Sequence, residues 1–149
     1  MEQGRRNMLL AAGLLLAADM SAKEPVKVSG DVYAATVGEH AVTIAVVGEQ
    51  GDTLQLHETW TGRFQMRLPE ERVLTLRFSG PGCLGKDVVI DTHYALDEDS
   101  RLRRVVFGVE LEAAPPRPMR YAGAVGTIAF APGTGRMDVQ RHQAPVLQR

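Results

Sequence analysis

The chain has 149 residues, of which 17 are basic and 18 acidic, for a net charge of −1. This length suffices for one domain with a substantial core, and it is short for two. The balanced charge argues against a basic nucleic-acid-binding surface and against an acidic disordered tail. A single cysteine, Cys83, excludes an intrachain disulfide.

The N-terminal residues follow the order of a secretory signal peptide. Arg5 and Arg6 precede an uncharged apolar run over residues 8–18, and the small residues Ser21 and Ala22 follow. The run is shorter than the roughly 20 residues of a membrane span. It also lacks the polar face of an amphipathic helix. We therefore predict a cleaved signal helix over residues 1–22, membrane contact only before cleavage, and export to the periplasm or cell exterior.

From residue 26 the pattern changes to short runs in which apolar and polar residues alternate. A period of two residues is typical of strands with one buried face. The runs are separated by Gly- and Pro-containing turns, and their spacing of about ten residues is that of a β-sandwich. Seven strands are predicted, around residues 26–32, 42–47, 54–57, 64–68, 74–78, 88–90 and 105–111.

The C-terminal part, residues 113–149, interrupts this pattern. Pro115, Pro116 and Pro118 predict a stiff extended connector, because proline cannot donate to a strand ladder. Beyond it, residues 126–131 and 137–139 flank a Pro-Gly-Thr-Gly turn and predict a β-hairpin. An isolated hairpin is marginally stable in water. We therefore expect it to dock on the sandwich or on a partner.

Four segments carry a family resemblance, namely residues 28–33 (VSGDVY), 62–69 (GRFQMRLP), 74–82 (LTLRFSGPG) and 86–92 (KDVVIDT). They resemble the carboxypeptidase regulatory-like domains, which implies an all-β, seven-stranded, Greek-key sandwich of the transthyretin-like type over residues 26–112. The segment 125–136 also resembles the C-terminal extension of small cell-envelope proteins that carry this domain. Two features depart from the family: residues 41–44 lack its Pro and Gly, and Cys83 replaces its turn aromatic.

No catalytic machinery is apparent. The histidines His40, His57, His93 and His142 lack metal-ligand spacing, so we predict no metal and no cofactor. Neither the His-x-x-Glu of zinc carboxypeptidases nor the Tyr-Arg-Gly-Ser ending of the transthyretin-like hydrolases is present. Asp91 and His93 share one strand face and form the best local pair. The favoured interpretation is a solvated strand end, and a hydrolase with a dispersed site that uses this pair is the least favoured hypothesis.

Two aromatic residues are candidate binding residues. Trp60, the single tryptophan, lies next to a turn, where it is either a core or rim residue or an exposed contact. Tyr33 ends the first predicted strand. Cys83 is interpreted as a half-buried structural residue rather than a reactive thiol, although Lys86 is nearby in sequence.

These observations favour a non-catalytic, exported module of the cell envelope. Its expected partner is an envelope protein, bound through a strand edge or through the C-terminal hairpin. The alternative is a carbohydrate- or small-ligand-binding sandwich that uses Trp60 and Tyr33. Nucleic acid is not an expected partner in either case.

Overall fold

A computed structural model describes residues 25–96, 104–142 and 145–147. The predicted signal peptide, residues 1–22, and the polar segment 97–101 lie outside these residues. The described residues form strands and turns without a helix. No apolar helix of membrane-spanning length therefore occurs in this part of the chain.

Each of the seven predicted runs forms a strand, and four further strands follow. The strands are β1 (Val26–Tyr33), β2 (Val42–Val47), β3 (Thr53–Thr59), β4 (Arg63–Leu68), β5 (Val73–Ser79), β6 (Lys86–Asp91), β7 (Val105–Glu110), β8 (Met119–Tyr121), β9 (Gly126–Phe130), β10 (Met137–Arg141) and β11 (Pro145–Leu147).

The strands form two main sheets of unequal width. The smaller sheet has the order β4-β1-β7, and the larger has the order β10-β9-β6-β5-β2-β3. β1 pairs antiparallel with β4 and parallel with β7. The predicted hairpin, β9–β10, joins the larger sheet because β9 pairs in parallel with β6. The two sheets therefore hold nine strands rather than the predicted seven, and β8 and β11 form a separate pair.

The inner faces of the two main sheets enclose one apolar core. Valine, leucine and isoleucine side chains fill most of it, as the low aromatic content requires. At its centre Phe64, Phe78 and Phe107 meet edge to face, with ring centroids 5.5–6.1 Å apart. Gly30 on β1 lies between two of them, and its missing side chain leaves room for the Phe64 ring. The three rings thus tie β4, β5 and β7 together.

β3 differs from the other strands because its polar residues, rather than its leucines, face the core. Leu54 and Leu56 are 37% and 64% exposed, whereas Gln55 and His57 face inward opposite Val46 and Ile44. The reason is position, because β3 is an edge strand at the margin of the core. There the Gln55 amide donates a 2.8 Å hydrogen bond to the Arg67 carbonyl of β4 and joins the two sheets.

Replacing Gly30 by alanine is expected to destabilise the fold. A Cβ there would overlap the Phe107 carbonyl oxygen and lie 2.9 Å from the Phe64 ring. Overpacking of this kind costs about 2–3 kcal/mol of unfolding free energy, measurable by urea denaturation. Gly123→Ala is the matched control, because a Cβ at Gly123 meets open space and should change stability by less than about 0.5 kcal/mol. Equal stability of the two variants would contradict the tight centre of the core.

Candidate functional site

An extensive concave surface among the described residues follows from the unequal width of the two sheets. The smaller sheet ends at β7, whereas the larger continues past β6 through β9 and β10. The space between β7 and the hairpin is a groove of about 840 Å³, here named the β7 groove. Its sides are residues 106–110 of β7 and residues 125–128 and 139–142 of the hairpin region.

One wall of the β7 groove is a strand edge with free backbone groups. The Leu111 amide donates to the Tyr33 carbonyl of β1 at 2.8 Å, which sets the alternation of hydrogen bonding along β7. Successive residues of a strand direct their backbone groups to opposite edges. Val106, Gly108 and Glu110 therefore direct N–H and C=O groups away from β1, and all three line the β7 groove. Among the described residues, no strand pairs with this edge.

The other wall presents the apolar side chain of Val139, which is only partly buried, and Met137 lies two residues away on the same face of β10. Val139 pairs with Ile128 and Met137 with Phe130, so both share the inward face of the buried residues opposite them. Nevertheless Val139 is 53% exposed and Met137 is 42% exposed, because β10 extends beyond the smaller sheet. Exposed apolar side chains beside an open strand edge are typical of an interaction surface.

Charged and polar groups gather at one end of the β7 groove. The Lys86 ammonium lies 3.3 Å from Glu112 and 5.4 Å from the ring centre of Tyr121, whose hydroxyl donates to Glu112 at 3.1 Å. Burial is the largest cause that raises the pKa of Tyr121. This cluster fixes β8 to the sandwich.

Three further residues of this end come from the hairpin region. The Thr127 hydroxyl and the His142 ring nitrogen lie 2.9 Å apart in a hydrogen bond. Arg141 pairs with Gly126 on the inward face, is exposed, and makes no ion pair with another described residue. Arg141 is therefore a cation available to a ligand in the β7 groove.

At the opposite margin the two sheets are connected through β3 and β4. A short turn around Trp60 joins β3 to β4, and the Gln55 side chain bridges the two sheets there. The outer edge of β10 carries polar Asp138 and Gln140, which protect an edge strand against unwanted pairing. β7 carries no charged residue from Val105 to Val109, whereas β3, β4 and β10 each carry at least one charged residue within the strand. It is the less protected edge.

The predicted binding residues Tyr33 and Trp60 lie at one end of the sandwich. Tyr33 is 60% exposed and lines a second cavity of about 580 Å³, together with Asp31 and Glu110. Trp60 is 58% exposed, so it is not a core residue, and its carbonyl accepts a hydrogen bond from the Gly38 amide. Thr61, rather than Trp60, lines the cavity of Tyr33.

The remaining candidate groups show local contacts. Cys83 is half-buried against the core, with its sulfur 3.6 Å from the Thr36 hydroxyl. The His93 ring nitrogen lies 2.6 Å from Asp91, and the His93 amide donates to the same carboxylate oxygen, which caps the turn after β6. Within residues 25–96, 104–142 and 145–147, no group of His, Cys, Asp and Glu side chains is arranged to hold a metal ion.

Comparison with known proteins finds no matching family model and no matching curated protein. The site therefore rests on geometry. Sequence reasoning did not single out Val106, Gly108 or Arg141. The available signal was the composition of residues 105–109 (VVFGV), which have neither a charged residue nor a proline to protect an edge.

The Thr92 side chain stabilises the turn between Asp91 and His93 through buried hydrogen bonds. Removing the Thr92 hydroxyl should therefore destabilise the protein. The buried hydroxyl donates to the Pro69 carbonyl at 2.8 Å and accepts from the Arg72 amide at 3.0 Å. Thr92→Val should cost about 1–3 kcal/mol in chemical denaturation, since buried partners lose their hydrogen bonds. Thr53→Val, at an exposed strand position, is the control. A loss no larger than that of the control would contradict this role.

Proposed function

We propose that this chain is a non-catalytic, exported interaction module of the cell envelope that binds an extended segment of a partner protein along β7. The observation that carries the proposal is the row of free backbone groups at Val106, Gly108 and Glu110 along the β7 groove. The signal-peptide pattern of residues 1–22 supports the exported location.

Strand addition suits this geometry for two reasons. An added strand would pair with the three free positions of β7, which supplies affinity through main-chain hydrogen bonds. It would also cover Val139 and Met137 of the overhanging hairpin, and burial of apolar surface contributes about 25 cal/mol per Å². Binding in the β7 groove would thus combine main-chain hydrogen bonds with the burial of apolar surface.

The finer fold assignment belongs to the same proposal. We infer that β1–β7 form a Greek-key sandwich of the transthyretin-like type, as the resemblance to carboxypeptidase regulatory-like domains implies. The division of these seven strands into three and four across the two sheets supports this assignment. In that family the domain is accessory rather than catalytic, which agrees with a binding role.

A proline at position 106 tests strand addition, because it removes one backbone N–H group from the outer edge of β7. Val106→Pro removes an amide that points away from β1, so the β1 ladder should remain intact. We expect affinity capture from envelope fractions of the native host, followed by quantitative mass spectrometry, to recover partners with Val106→Pro at least about tenfold less efficiently.

Val106→Thr is the matched control, because threonine is β-branched and keeps the amide. It should capture the same partners as the unmodified chain. If Val106→Pro is folded by circular dichroism and captures them as well as Val106→Thr does, strand addition to β7 is wrong.

The second candidate function is carbohydrate or small-ligand binding at the Tyr33 cavity. Its support is the exposed Tyr33 ring, which lines the cavity together with Asp31 and Glu110. The ring lies over Gly108, where an added Cβ atom would be 3.1 Å from it. Aromatic rings beside carboxylates suit the apolar faces and hydroxyl groups of sugars. Thermal-shift screening with glycans should then give protection that Tyr33→Ala abolishes. Trp60→Ala separates a contribution of the adjoining turn, and the absence of any glycan effect would exclude this function.

A further inference from the structure

The shape and charge of the β7 groove specify the kind of segment that would fill it, an inference that rests on the proposed strand addition. We infer that the occupant is a single extended segment of another protein, with apolar residues at every second position and a carboxylate that binds Arg141. Three features of the hairpin support this inference, namely its extension beyond the smaller sheet, its exposed apolar residues, and Arg141, which has no ion pair among the described residues.

The overhang selects a single strand over the edge of a second sandwich. A copy of this chain that paired its β7 with this β7 would bring its own larger sheet to the same side. Its hairpin would then need the space that β9 and β10 already occupy. An isolated segment has no second layer and avoids this overlap. The hairpin therefore disfavours self-association through β7 while leaving the edge open.

The inward face of β10 sets the side-chain pattern of the segment. Val139 lines the β7 groove, and Met137, two residues before it, lies on the same inward face; this spacing is the repeat of a strand. Side chains at alternate positions of an added strand would meet them, together with the partly buried Phe107. Apolar residues at those positions would complete the core at this margin, and polar ones would be desolvated without partners.

Arg141 continues the same inward row toward the polar end of the β7 groove. Of the carboxylates that line the β7 groove, Glu112 already binds Lys86 and Tyr121, and Glu110 is on the outward face of β7. Neither forms an ion pair with Arg141. A carboxylate from the bound segment fits this position, because guanidinium and carboxylate form paired hydrogen bonds. Either a chain terminus or an Asp or Glu side chain supplies the same chemistry.

Three acetylated peptides of six residues, the length of β7, test this inference on the full chain. All alternate valine and threonine. The first has a free C-terminal carboxylate, the second a C-terminal amide, and the third an amide with glutamate in place of the last valine. Chemical-shift changes in the amide spectrum of the protein measure binding. We expect both acid-bearing peptides to bind about three- to tenfold tighter than the neutral peptide.

Arg141→Gln should remove this difference without affecting the neutral peptide. Arg67→Gln, on the exposed face of β4 and outside the β7 groove, is the matched control and should preserve the difference. A greater effect for the terminal acid than for glutamate would identify a chain terminus as the ligand, and the reverse a side chain.

Equal binding of all three peptides, or a preference unchanged by Arg141→Gln, would overturn the carboxylate assignment. If Val106→Pro abolishes that equal binding, strand addition still stands. Failure of the acid-bearing peptides to bind at about 1 mM, or binding insensitive to Val106→Pro, would overturn strand addition as well.

Discussion

Backbone amide and carbonyl groups need hydrogen-bond partners, and every sheet that does not close on itself leaves two rows of them unpaired. The organisation of this molecule depends on how its four sheet edges meet that requirement. At β3 and β4 a hydrogen bond from the Gln55 side chain to the Arg67 carbonyl joins the two edge strands. At β10 polar residues face solvent. At β7 the outward backbone groups instead adjoin the β7 groove, where we propose that a protein strand binds.

The C-terminal hairpin creates this difference. By pairing with β6, β9 removes one edge of the sandwich and extends the apolar inner face by Ile128 and Phe130. β10 then extends the larger sheet beyond the β7 margin of the smaller sheet. Without the hairpin, β6 and β7 would end near one another as two parallel margins. With it, a strand-sized space forms beside β7. The extension is thus part of the architecture and also one wall of the candidate site.

Much of the fold could be predicted because apolar residues at every second position indicate a strand with one buried face. That rule predicts all seven strands from β1 to β7, and it places Phe64 and Phe78 correctly inside. It does not determine which face is dry in β3, where Leu54 and Leu56 are exposed, because edge position decides that. Nor does it predict the parallel pairing of β9 with β6, since non-local pairing depends on the path of the connector. The β7 groove was missed for the same reason, and of the two predicted binding residues it is Tyr33 that lines the cavity of about 580 Å³.

The central claim is that alternate backbone groups of β7 have no partner in the free protein. Amide hydrogen exchange followed by NMR spectroscopy measures this directly, residue by residue. The account predicts slow exchange at Phe107 and Val109, whose amides point to β1, and fast exchange at Val106, Gly108 and Glu110. Equal protection of all five amides would contradict it, because the edge would then already be paired.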